Sequence, residues 1–272
     1  MPEPVNLALA FSLTPQAALD YFRAKGYRVN PDGWAAVEAA AHRKAFTVAR
    51  VASLDLLQDI KTAMDGAIAD GTTFRQFQQQ LMPKMKALGW WGKDENGVQL
   101  GSPHRLSTIF RTNVQTSYME GRWQGLMENV DNRPWIEYVA ILDNRTRPGH
   151  RALNGKVFRY DDPFWTRFRP PIAWACRCRV RALSDKDLER RGITPDQGEG
   201  NLKAYSPEAQ GYRQPQAGYV DPRTGTETRT DVGWGYDRKV GWEPDPERYD
   251  PIIQGLLILL ETERNELDDP QD

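Results

Sequence analysis

Apolar positions recur with a helical period through the first half of the chain, then with a period of two in short stretches beyond residue 133. Leu19 and Phe22 give residues 13–26 an apolar edge; Thr14 is placed to cap that helix, Pro15 fits its first position and Gly26 stops it. An Ala-rich run from Gly33-Trp34 to about Val51 predicts a longer helix that carries His42. Leu56, Ile60, Met64 and Ile68 recur every four residues across 53–70, and Gly71 ends that helix. Thr73 and Gln76 have the spacing of a capping box. They open a stripe of Phe74, Phe77, Leu81, Met85 and Leu88, which Pro83 is expected to bend or interrupt. A further helix spans 105–127, with Phe110, Val114 and Tyr118 stacked along it.

Three strands follow: 134–142, 156–160 and 177–183, the last with Cys178, Val180 and Ala182 on one side and Arg177, Arg179 and Arg181 on the other. A short helix is expected at 184–191. Beyond it, residues 192–250 are rich in Gly, Pro, Asp, Arg and Tyr and poor in aliphatics, so they cannot form a core of their own and should lie extended over the rest of the chain or over a neighbour. The last stretch, 251–272, reads as an amphipathic helix with an acidic tip. The expected fold is α+β: a helical region at 1–132, a small antiparallel sheet module at 133–191, an extended Gly/Pro-rich arm at 192–250, and the terminal helix.

Composition narrows the function classes. The chain of 272 residues has a net charge of -1, which leaves no global basic surface for coating nucleic acid. A mean hydropathy of -0.68, with 22 Gly and 19 Pro, agrees with long irregular segments. The 2 cysteines, Cys176 and Cys178, are too close in sequence for an unstrained disulfide, so the chain reads as reduced and intracellular in origin. The N-terminus has no basic segment of a signal peptide, and the apolar run near Ile252–Leu260 is too short to span a bilayer.

Chemistry concentrates in residues 143–181, which hold ten Lys/Arg against three Asp, both cysteines and His150. Asp143, Arg145, Thr146, Arg147, His150, Leu153, Gly155, Trp165, Pro170, Pro171, Cys176, Arg177 and Cys178 together form the pattern DxRTRxxHxxLxG…W…PP…CRC. That pattern resembles the phage Mu F-like head morphogenesis proteins, also called minor head or minor capsid proteins. The likeness is specific over 143–181 and extends in outline over 1–183. It implies a structural protein of head assembly, associated with the portal protein, the major capsid protein and the procapsid interior, with a part in DNA packaging or ejection. It places the protein in the virion, or in the host cytoplasm during assembly, with no membrane partner. Trp90, Trp91, Trp234 and Trp242 are the expected interface anchors.

The residues themselves leave alternatives open. His150, Cys176 and Cys178, with Asp143 as a fourth group, are a donor set suited to zinc, although Cys-x-Cys differs from the usual two-residue gap. Against that, Cys178 can be a small buried apolar residue beside Val180, and His150 can close a turn. Asp143 and His150 beside arginines also suit a metal-dependent nuclease, Asp orienting His and Arg holding phosphate. No oxyanion signature or nucleophile elbow accompanies the cysteines. Arg177, Arg179 and Arg181 suit docking on an acidic protein surface or non-specific contact with packaged DNA.

Overall fold

The computed structural model describes residues 16–37 and 39–238. The expected cap at Thr14 and Pro15, the anchor Trp242 and the terminal helix 251–272 lie outside the described residues. The first helix, α1 (Gln16–Arg23), buries Ala18, Leu19 and Phe22. The Ala-rich stretch after it is not the expected helix. It forms two 3-10 turns, Trp34–Ala36 and Ala39–Arg43, and then a short strand β2 (Ala45–Phe46) that pairs in parallel with β1 (Gly26–Tyr27). Propensity yields here to pairing and burial: Ala35, Ala41 and Phe46 are all inside, and the backbone N–H of Gly26 and Arg28 donate to Lys44 O and Phe46 O.

The next three helices follow the apolar pattern. α2 (Leu54–Ala69) is capped by Ser53 and buries Leu56, Ile60, Met64 and Ile68. α3 (Phe74–Ala87) opens with the full Thr73–Gln76 capping box and continues through Pro83. Its Phe77, Leu81 and Met85 are buried, whereas Leu88, expected in the same stripe, is the exposed C-cap. α4 (Pro103–Met127) begins at the Ser102 cap with Pro at its start. At 25 residues it is roughly 37 Å long. It serves two cores. Leu106, Ile109, Phe110 and Val114 pack with α1, α2 and α3, while Trp123, Leu126 and Met127 pack with the sheet module. Tyr118, read as part of the apolar stripe, is exposed.

The sheet module is the three-stranded antiparallel arrangement its alternation predicts. β3 (Trp135–Val139) is central, flanked by β4 (Val157–Arg159) and β5 (Arg179–Leu183). Helices α5 (Pro148–Leu153) and α6 (Phe164–Phe168) lie in the connections, and α7 (Asp185–Arg191) follows with a Ser184–Asp187 capping box and Gly192 in the left-handed region. Phe158 and Phe164 stack at 3.9 Å between ring centroids, with Phe168, Trp165 and Tyr219 around them.

Tyr219 comes from the 192–250 segment, whose described residues are organised into strands. β6 (Leu202–Tyr205), β9 (Gln216–Val220) and β10 (Glu227–Arg229) form a second antiparallel sheet, beside a small hairpin of β7 (Glu208–Ala209) and β8 (Tyr212–Arg213). β9 puts Ala217 and Tyr219 into the same core as β3 and α6. An aliphatic-poor segment thus gains its burial from the module beneath it.

Candidate functional site

The motif residues are assembled by two pieces of chain that meet beside β3. The first leaves β3 through a turn organised by Asp143. Its Oδ1 accepts from the Arg145 amide at 3.1 Å and from the Thr146 hydroxyl at 3.0 Å. α5 then starts at Pro148 and carries His150 inward, with Gly155 at a φ of 81° closing the turn into β4. The second piece passes the buried Pro170-Pro171 pair, joined by a cis peptide, and enters β5 through Cys176, Arg177 and Cys178. Extended chain alternates its side chains. Both thiols are therefore buried on the core side, and Arg177 is directed to Asp143, its Nη1 2.8 Å from Oδ2 and its Nη2 2.7 Å from Oδ1.

His150, Cys176 and Cys178 come together. His150 Nδ1 lies 3.3 Å from Cys178 Sγ and 3.7 Å from Cys176 Sγ. The Tyr138 hydroxyl of β3 is buried against the two sulfurs. The two thiols polarise each other. A hydrogen bond from Cys178, with help from His150, draws the Cys176 thiol below its ordinary value, while the same contact and burial push Cys178 up. Burial raises Tyr138, and the two sulfurs add to it.

Asp143 does not join this group, contrary to the expected fourth ligand. Among the described residues the cluster able to hold a metal is His150, Cys176 and Cys178. Hydrogen bonds from Arg177 and Thr146 hold the Asp143 carboxyl far below its usual range, in a partly exposed ion pair. The Asp–His pair of the nuclease reading is therefore not assembled: the carboxylate faces Arg177 and the imidazole faces sulfur.

The arginine excess of this stretch is largely spent inside the chain. Arg147 reaches Asp231 at 3.1 Å and Trp174 O at 2.8 Å. Arg169 is buried against Glu120 at 2.6 Å. Arg181 and Arg191 both hydrogen-bond Glu137, and burial of that carboxylate is outweighed by the two guanidiniums, which hold it below its ordinary value. Arg179 is exposed on β5, opposite Val139. The outer carbonyls of β5 are covered in step with the strand's period: Gln115 donates to Cys178 O at 3.0 Å, Arg122 to Val180 O at 2.7 Å and Arg133 to Ala182 O at 3.5 Å.

Of the expected tryptophan anchors, Trp90 and Trp234 face inward. Trp90 is 5% exposed in the helical core and donates its indole N–H to Arg50 O. Trp234 packs edge-on against Trp174, which meets Trp34 in turn, so it ties residues 231–236 to the body. Trp165 is buried too, its indole donating to Arg159 O at 3.0 Å. Trp91 is half-buried beside Lys86. Tyr138 and the Glu120–Arg238 contact are not among the features the sequence singles out. The alternation of β3 marks Tyr138 as inward, but nothing local marks the contact between residues 120 and 238.

Residues 58–181 match the family model described as Phage Mu protein F like protein. The chain belongs to the phage Mu F-like family. It is 39% identical over 260 residues to the putative capsid assembly protein F of Escherichia phage Mu, a match covering 87% of this chain and 57% of that protein. It is 46% identical over 197 residues to the Mu-like prophage FluMu F protein of Haemophilus influenzae, covering 71% of this chain and 45% of the relative. The Mu F-like chain thus spans about half the length of these curated relatives. No solved structure matches it. The family match takes in α3, α4, the Asp143 turn, the Cys-His cluster and the start of β5. The second sheet, which covers the module, lies beyond it.

Proposed function

We propose that this Mu F-like chain acts in phage head assembly as a structural protein that docks on the portal protein and the major capsid protein, in the procapsid interior. The observation that carries this reading is the 39% identity, over 87% of the chain, to a protein named as a capsid assembly protein. The chemistry of the module supports it. A scaffold in which Asp143, Glu137 and Glu120 each bind arginine, under a second sheet, is built to hold a shape, and Asp143 faces Arg177 while His150 faces sulfur. Among the described residues no helix is long and apolar enough to cross a membrane. Docking is assigned to the exposed face around Arg179 and Arg181, and contact with packaged DNA is non-specific. The protein resides in the host cytoplasm during assembly and in the virion afterwards.

Disruption of the gene in its phage or prophage tests this. Electron microscopy of induced lysates should show few complete heads, restored by the wild-type gene in trans, and tagged protein should co-purify with the portal protein. A normal yield of DNA-filled, infectious heads without the protein would overturn the reading. Arg179→Glu should weaken portal co-purification while leaving the fold intact by circular dichroism.

A further inference from the structure

The cluster at the centre of the module points beyond assembly. Its three donor atoms lie within 4.8 Å of one another, all three residues are buried, and His150 comes from one piece of chain and the two cysteines from another. We propose that His150 Nδ1, Cys176 Sγ and Cys178 Sγ form a thiolate–imidazole site for a tetrahedral divalent metal of the zinc class.

The distances support it. Zinc holds sulfur at about 2.3 Å and imidazole nitrogen at about 2.0–2.1 Å, so two such ligands at a tetrahedral angle stand roughly 3.5 Å apart. The observed separations of 3.3 and 3.7 Å bracket that value. One ring nitrogen faces two sulfurs, which suits a shared central ion better than a single S–H···N hydrogen bond, since neutral imidazole has one acceptor nitrogen. Two thiolates and an imidazole select a borderline-soft ion over magnesium or calcium. The Cys-x-Cys spacing, unusual in a knuckle, is what extended chain needs to present both thiols on one face.

The surroundings hold the donors in place. Gln115 fixes the Cys178 carbonyl, and the Arg177–Asp143 fork pins the residue between the thiols from the opposite side. α5 is backed by β10: a Cβ at Gly149 would lie 3.2 Å from the Thr228 methyl. The buried Tyr138 hydroxyl lies against both sulfurs, where it would donate to a metal-bound thiolate. The ion would staple α5 to the entry of β5, positions 26 and 28 residues apart.

The test uses the full chain purified without chelator from zinc-supplemented cells. Elemental mass spectrometry should find about one zinc per chain, and cobalt(II) added to stripped protein should give the intense visible bands of tetrahedral cobalt thiolate. Cys176→Ser/Cys178→Ser should lose both signals, and so should His150→Ala, while His150→Cys should retain them. Asp143→Asn should keep the metal, and Tyr138→Phe should bind about tenfold more weakly with the cobalt spectrum unchanged. Because a ligand variant can fail to fold, wild-type protein carries a second readout: added zinc should shield both thiols from a disulfide reagent. Wild-type protein with no zinc, no cobalt bands and unshielded thiols overturns the proposal, as do cobalt bands that survive in the double serine variant.

Discussion

Arg177, the residue between the two cysteines, grips Asp143 with both arms of its guanidinium at 2.8 and 2.7 Å, across 34 residues of sequence. This contact explains why the two ends of the motif read as one unit: the fork locks the Asp143 turn to the strand that presents the thiols.

The first prediction concerns that fork. Arg177→Lys keeps the charge and loses the two-point geometry, so it should lower the melting temperature nearly as much as Arg177→Ala. A double-mutant cycle with Asp143→Asn should be non-additive; additive losses would mean the fork contributes nothing. Because the folded carboxyl is depressed, its contribution is present above the unfolded value of about 4 and is lost as pH falls below it. Between pH 5 and pH 2, Asp143→Asn should therefore lose stability less steeply than wild type.

Glu120 supplies the second. Buried in α4, it accepts from Arg169 at 2.6 Å and from Arg238 at 2.9 Å, while Arg238 also donates to Pro171 O. Burial opposes its charge, but the two guanidiniums prevail and hold the carboxyl below its ordinary value. Glu120→Gln should cost about 3–5 kcal/mol in denaturant unfolding, because it leaves buried arginines without a counter-charge. A loss under 1 kcal/mol would show that water or a rearranged partner replaces it.

Third, the aromatic cluster makes the second sheet part of the module. Phe164→Ala should destabilise by about 3–5 kcal/mol. Tyr219→Ala should lower the same single unfolding transition, because Tyr219 packs on Phe158, Phe164 and Phe168. A separate early transition for residues 202–229 would contradict this.

Fourth, His42 should make the protein acid-sensitive. Burial, with Lys25 and Arg28 nearby, pushes its imidazole down to about 4. The unfolded chain therefore binds more protons between pH 4 and the ordinary value of about 6.5, and stability should rise with pH across that window. The change is on the order of 3 kcal/mol. His42→Gln should flatten the rise between pH 4.5 and pH 7; an unchanged slope would place the sensitivity elsewhere.

Much of this fold is legible in the order of residues alone. The four-residue recurrence in α2, the capping box of α3, the long α4 and the three alternating strands all come from short-range spacing, which the backbone obeys wherever it lies. The donor set His150, Cys176 and Cys178 is legible by residue type, and the inward side of β5 by alternation. Residues 34–51 mislead for the same local reason: alanine favours helix, but pairing of β2 with β1 and burial of Phe46 outweigh a propensity of tenths of a kcal/mol per residue.

The sequence by itself determined the α+β order of elements, the family and the residue types of the cluster, because each depends on neighbours a few positions apart. Only the tertiary structure decided the partners. It gave Asp143 to Arg177 instead of the thiols, placed Trp90 and Trp234 inside, and joined Glu120 to Arg238 across 118 residues. Those choices are made by which charges and rings are left facing each other when two cores and a second sheet pack, and no local pattern encodes that.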